Sequence, residues 1–216
     1  MAKRRILTPQ RIVDTAIELL DREGYREFSM RKLAAVIGVD PMAIYHHIAN
    51  RADLMYRVVD SVIGQCELPV EHKNWEESVK AICTEFRRLA HRHPGVIQIF
   101  DEFESWVPNE HRITEAMYGA LRRGGFSPQA TVRGARLLLA YTENFCAWEL
   151  SDWIAPYTPI MRKEFIDSLT HGEFPLALQL VDEITNVVPD EEFEFGLEVV
   201  VRGLATHPHA STDRCP

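Results

Sequence analysis

Little in this chain of 216 residues points to catalysis. It has no nucleophile–base motif, no glycine-rich phosphate loop and no ligand set at metal spacing, so an enzyme is not expected. His91/His93 and His207/His209 stand two apart, which on a helix points them away from each other. No metal site and no cofactor are expected. Only four cysteines occur (Cys66, Cys83, Cys146 and Cys215), far apart and without a CxxC pair. Free thiols in a reducing compartment are the expectation. Neither a signal peptide nor a run of about 20 apolar residues is present, which predicts no membrane partner and a cytoplasmic protein. Alternating strand patterns of useful length are also missing, which leaves an all-α chain.

What is present is charge asymmetry and helical punctuation. The net charge is −8, which taken alone argues against a nucleic-acid partner. Residues 1–51 nevertheless hold nine Lys/Arg against six Asp/Glu, a balance of +3, so the remainder carries −11. Such a division suits a basic reading head on an acidic body, or simply an uneven surface. Lys3, Arg4 and Arg5 form a short basic arm, either a DNA contact or a solvated terminus.

The most informative stretch is SMRKLAAVIGVDPMAIYHHIANR, Ser29 to Arg51. Ser29 is a natural N-cap, and Leu33 with Val36–Ile37 falls on one helical face. Gly38 follows, where a left-handed residue ends a helix without a Cβ clash. Asp40 then caps a second helix with Pro41 at its first position, where the missing N–H costs nothing. Met42, Ile44, Tyr45 and Ile48 give this helix its apolar side. Asn50, with Asp53 three residues on, announces the next helix. Two short helices about a glycine turn make a helix-turn-helix, whose second helix can enter the DNA major groove.

These residues resemble the tetracycline-repressor (TetR) family of bacterial regulators. The likeness lies in Leu33–Ala34, Gly38–Val39, Ile44–Tyr45–His46–His47, Arg51 and Leu54, after an amphipathic helix ending at Gly24. It covers roughly the first quarter of the chain. The resemblance places a DNA-contacting side chain at Arg31, gripping either guanine or a phosphate. Pro41, Met42 and Ala43 would face the groove, where a thymine methyl suits them. Tyr45, His46 and Arg51 would meet phosphates, and His47 would pack on the first helix. The resemblance further implies a double-stranded DNA operator of palindromic form, a homodimer and a repressor released by a small-molecule effector.

The expected organisation is an N-terminal three-helix helix-turn-helix DNA-binding domain over residues 1–51, with a linking fourth helix over 50–66. A C-terminal helical bundle for ligand binding and dimerisation follows over 67–205, then a polar tail over 206–216. The helices starting at Ser127 and Asp190 are apolar around much of their circumference, a sign of burial on several sides. A symmetric four-helix interface through Val132, Leu138, Leu139, Phe193, Leu197 and Val200 would bury them, as would packing within one subunit. Phe86, Phe100, Trp106, Tyr118, Tyr141, Asn144, Phe145 and Trp148 lie on helices able to enclose an effector. Singly, each aromatic reads as core; as a set they predict an apolar or aromatic ligand oriented by a few polar groups. The EFRRLAHRHPG stretch also looks related to the tetracycline repressor, but Gln98 stands where that protein has a metal-binding histidine. A tetracycline–magnesium effector is therefore not expected.

Overall fold

A computed structural model describes residues 6–68, 74–100, 107–169 and 172–206. Every regular element among them is a helix. The head contains α1 (Pro9–Glu23), α2 (Met30–Ile37), α3 (Pro41–Tyr45) and α4 (Arg51–Ile63). The body follows with α5 (Trp75–Arg92), α6 (Pro94–Ile97), α7 (Pro108–Arg123) and α8 (Pro128–Leu150). The chain then forms α9 (Pro159–Ser168), α10 (Pro175–Gln179), α11 (Val181–Thr185) and α12 (Pro189–Ala205).

Local chemistry sets most of these boundaries. Side-chain oxygens of Thr8, Ser29, Asp40, Asn50, Asn74, Ser127 and Thr158 each accept a backbone N–H in the first turn that they cap. Such caps satisfy N–H groups that have no partner inside the helix. At Asn50 the arrangement is reciprocal. Its Oδ1 accepts from Asp53 N at 2.9 Å, and Asp53 Oδ2 accepts from Ala49 N at 2.9 Å. Gly38 ends α2 at φ 81°, ψ 39°, the left-handed region.

Three boundaries differ from the apolar pattern of the sequence, which predicts helices from Asp40 through Ile48, from Val96 to Phe103 and from Pro175 to Ile184. The third helix stops at Tyr45, because His46 and His47 turn off before Ile48 plugs the core. The helix after Pro94 begins at that proline and ends by Ile97; the remainder of its expected span, to Phe103, is described only as far as Phe100. The expected 175–184 helix breaks at Leu180 into α10 and α11. The basic arm at residues 3–5, Trp106, His207, His209 and all but the first residue of the 206–216 tail lie outside the described residues.

One continuous hydrophobic core joins head and body. In the head, α1 packs on α2 and α4, and α2 on α3; in the body, α5 lies against α7, α8 and α12. Head and body meet where α6 and α7 reach α1 and α4. Gly95 makes the first approach possible, because a Cβ there would lie 2.1 Å from the Leu20 carbonyl oxygen. Asp21 of α1 receives Gly95 N at 3.2 Å and lies 2.7 Å from His93 Nδ1. Asp60 of α4 is held by Asn109, whose backbone N donates to Oδ1 at 2.8 Å and whose Nδ2 donates to the Asp60 carbonyl at 3.0 Å. No helix among the described residues is long and apolar enough to cross a membrane.

Candidate DNA-reading face and effector chamber

The head divides its residues by face. Leu33, Ala34, Ile37, Ile44 and Ile48 are buried and fix α2 against α3. Arg31, Met42, Tyr45, His46 and His47 are exposed, while Pro41 and Ala43 are half-buried at the start of α3. Val36, expected on the inner face, points outward at 50% exposure, while Met42, expected to face the groove, is 64% exposed. Leu33, Ala34 and Ile37 already fill the space beneath α2. His47, expected to pack on the first helix, is exposed because Ile48 takes that place.

Cations on this side of the head differ in their freedom. Lys32 Nζ donates to Glu23 at 3.2 Å and to Glu27 at 3.4 Å, and the Glu23 hydrogen bond raises the ammonium's affinity for its proton. Arg31, one residue away, makes no ion pair among the described residues. Arg51 carries its guanidinium 4.7 Å above the Tyr25 ring centroid and 5.9 Å from that of Phe28. This stacking orients the fork while leaving its N–H edges available for hydrogen bonds.

The body brings together only part of the expected effector set. Phe86, Phe100 and Asn144 line a cavity of about 110 Å³ with Ile97, Glu143 and Ala147. The two phenyl rings meet edge to face, centroids 6.2 Å apart. Asn144 Nδ2 donates to the Ala140 carbonyl at 2.8 Å. That bond fixes the plane of the amide. Glu143 and Ala147, one helical turn apart, complete the lining without being aromatic, so the aromatic pattern does not mark them. Their i, i+4 spacing with Asn144 between them was the available signal.

The other effector candidates lie elsewhere. Tyr141 stacks on Phe193 and Phe145 meets Phe193 edge to face in an aromatic cluster, and Tyr141 Oη donates to the Phe193 carbonyl at 2.9 Å. Burial pushes the Tyr141 phenol up to about 12. Tyr118 packs on the core away from the cavity, and Trp148 is half-exposed on α8. Beneath the cluster, Arg87 sits 4.8 Å from the Phe193 ring centroid and forms two hydrogen bonds to Glu149, at 2.8 and 2.5 Å. It also reaches Asp190 at 2.7 Å, joining α5, α8 and α12.

The same cluster corrects the expected dimer surface. Leu138, Phe193 and Leu197 are buried within the single chain, Phe193 to 1% exposure, so they offer no area to a partner. Val132, Leu139 and Val200 are partly buried. The outward apolar residues of α8 and α12 are Leu137, Phe195 and Val199, at 50, 71 and 53% exposure. Among the described residues no group of three His, Cys, Asp or Glu side chains could hold a metal ion.

A capped helix-turn-helix with an exposed arginine, packed against an all-helical body with an aromatic-lined cavity, defines the class of ligand-responsive DNA-binding regulators. Residues 12–58 match the family model for bacterial regulatory proteins of the tetR family, and residues 68–207 match that for the tetracyclin repressor-like C-terminal domain. The chain therefore belongs to the TetR family of transcriptional regulators.

Solved relatives have the same architecture. The chain is 31% identical to apo ActR from Streptomyces coelicolor, with a TM-score of 0.79, covering 92% of this chain and 94% of that one. ActR in complex with actinorhodin gives 31% identity and a TM-score of 0.80, covering 93% and 97%. An HTH-type transcriptional regulator of Saccharopolyspora erythraea is 35% identical over 122 residues, 56% of this chain but only 52% of that protein. The transcriptional repressor DrrR1 of Streptomyces coeruleorubidus is 23% identical over 92% of this chain and 77% of its own length.

Proposed function

We propose that this protein is a homodimeric repressor that binds a palindromic operator and is released by a small aromatic effector. The observation that carries the reading is the exposed face of α2 and α3. There Arg31, Met42, Tyr45 and His46 project from a turn whose inward residues are all buried. Two such faces in a dimer would meet successive major grooves about 34–36 Å apart. The outward stripe of Leu137, Phe195 and Val199 is the surface through which a second copy would pack. The effector would enter the cavity beside Phe86, Phe100 and Asn144. The Gly95 and His93 contacts to α1, with those of Asn109 to α4, would then carry its effect to the heads. An effector that prefers the body conformation with the wrong head spacing weakens operator binding by the same factor that operator weakens effector binding.

Enrichment of bound duplexes from a random library by the purified protein tests the reading, followed by mobility shift on the enriched sequence. A palindrome is expected. Arg31→Ala should cost about 1–3 kcal/mol and relax discrimination at one base pair of each half-site. A uniform loss across operator variants would assign Arg31 to the phosphate backbone instead, and failure to enrich any sequence would remove the proposed role.

A further inference from the structure

The cavity beside Phe86 and Phe100 is small. Its volume of about 110 Å³ compares with the roughly 150 Å³ that admits a single benzene, and drug-sized ligands occupy about 300–1,000 Å³. On the other side of two of its wall residues, Ile97 and Ala147, lies a cleft of about 700 Å³. This cleft separates the head from the body. Gly24, Tyr25 and Arg26 line it from the loop after α1, while Gln98 and Ser151 line it from the ends of α6 and α8. The two spaces together have the volume of an extended ligand; the inner one alone does not.

We propose that the effector spans both spaces, and that it is an elongated aromatic acid. Its ring sits between Phe86 and Phe100, its tail passes the Ile97–Ala147 wall, and its anionic end lies in the head–body cleft. This rests on the proposed effector-released repressor. The sign of the tail follows from the charges of the cleft. Glu23 is bonded to Arg22 at 2.9 Å and to Lys32 at 3.2 Å, and Glu27 to Lys32 at 3.4 Å. Arg26 makes no ion pair among the described residues, so the uncompensated charge in the lining is positive. Beside it, the Gln98 amide supplies further donors. Such a ligand touches the head directly. Tyr25, on the cleft wall, is also the ring on which Arg51 stacks.

Binding of ω-phenylalkanoates with two, six and ten methylenes, measured by calorimetry on the full chain, tests the proposal. Matched ω-phenylalkylamines serve as the cationic series. The acids should gain affinity once the tail reaches the cleft, and the amines should gain less. Arg26→Ala should cost the long acid about tenfold, as expected for one charge-assisted hydrogen bond, and leave the shortest acid unchanged. Gln98→Ala should reduce the same gain. No binding by any member, a length dependence that is equal for acids and amines, or one that survives Arg26→Ala would overturn it. Mobility shift of the ligand-free wild-type protein separates the two readings. Operator binding without the tail effect sinks only this inference, while absence of operator binding sinks the repressor itself.

Discussion

At the residue scale, burial decides what a side chain can do more than its type does. Cys66, Cys83 and Cys146 are all buried free thiols. Burial pushes Cys66 up to about 11 and both Cys83 and Cys146 up to about 12. Thiolate is the reactive form, so these positions are chemically quiet in the folded protein. Iodoacetamide at pH 8, read by peptide mass mapping, should leave all three unmodified until denaturant is added. The raised values also set a pH dependence. The folded state holds these protons more tightly than the unfolded one, whose ordinary value is 9.0. Their contribution to stability is therefore complete below about pH 9 and is lost as pH rises toward 12. Urea midpoints should fall across that window, and a midpoint that rose would contradict it.

At the element scale, the reading head depends on short-range chemistry. Helix α3 has five residues, too few to persist without its cap and its packing. Asp40 Oδ1 accepts from Met42 N at 2.8 Å. Asp40→Ala should therefore cost about 1 kcal/mol in urea denaturation and weaken operator binding more than it lowers the melting temperature of the body. In the body the corresponding fastener is ionic. The Arg87 and Glu149 side chains are 13 and 5% exposed, so removing Arg87 leaves a buried carboxylate without its guanidinium, beside His91 Nε2 at 3.2 Å. Arg87→Met should destabilise by about 3–5 kcal/mol. The double variant Arg87→Met/Glu149→Leu should recover most of that loss, since two apolar groups leave no buried charge. Equal losses in both variants would mean that Arg87 contributes mainly through its stacking on Phe193.

At the scale of the whole molecule, the question is which apolar residues face inward. Phe193 and Phe195 are two apart on α12, hence on nearly opposite faces, and hydrophobicity alone cannot rank them. The single chain buries Phe193 and leaves Phe195 outside. Leu138 and Leu137 on α8 divide the same way. If the proposed dimer packs through this outward stripe, Phe195→Asp should give a monomer in light scattering with little change in helical content. Operator affinity should fall about 100-fold or more, because half-sites held singly lose their effective concentration. A variant that stays dimeric would move the interface elsewhere.

Most helix starts and the glycine turn were legible in the sequence. They are decided by neighbouring atoms: a hydroxyl or carboxylate reaching an N–H two or three residues on, a proline ring, a missing Cβ at Gly38. The same locality made the helix-turn-helix readable, since Leu33, Ala34, Gly38 and Tyr45 stand at fixed offsets. The exposure of Val36 and His47 was not readable, nor was the division of the aromatics between cavity and core. Those depend on what lies opposite each face, and that partner comes from far along the chain, as Leu20 does for Gly95 and Glu149 for Arg87. The chain's own chemistry fixed what kind of molecule this is; only the folded packing decided which of its apolar surfaces remain for a ligand or a second subunit, because burial belongs to pairs of faces and a sequence displays one face at a time.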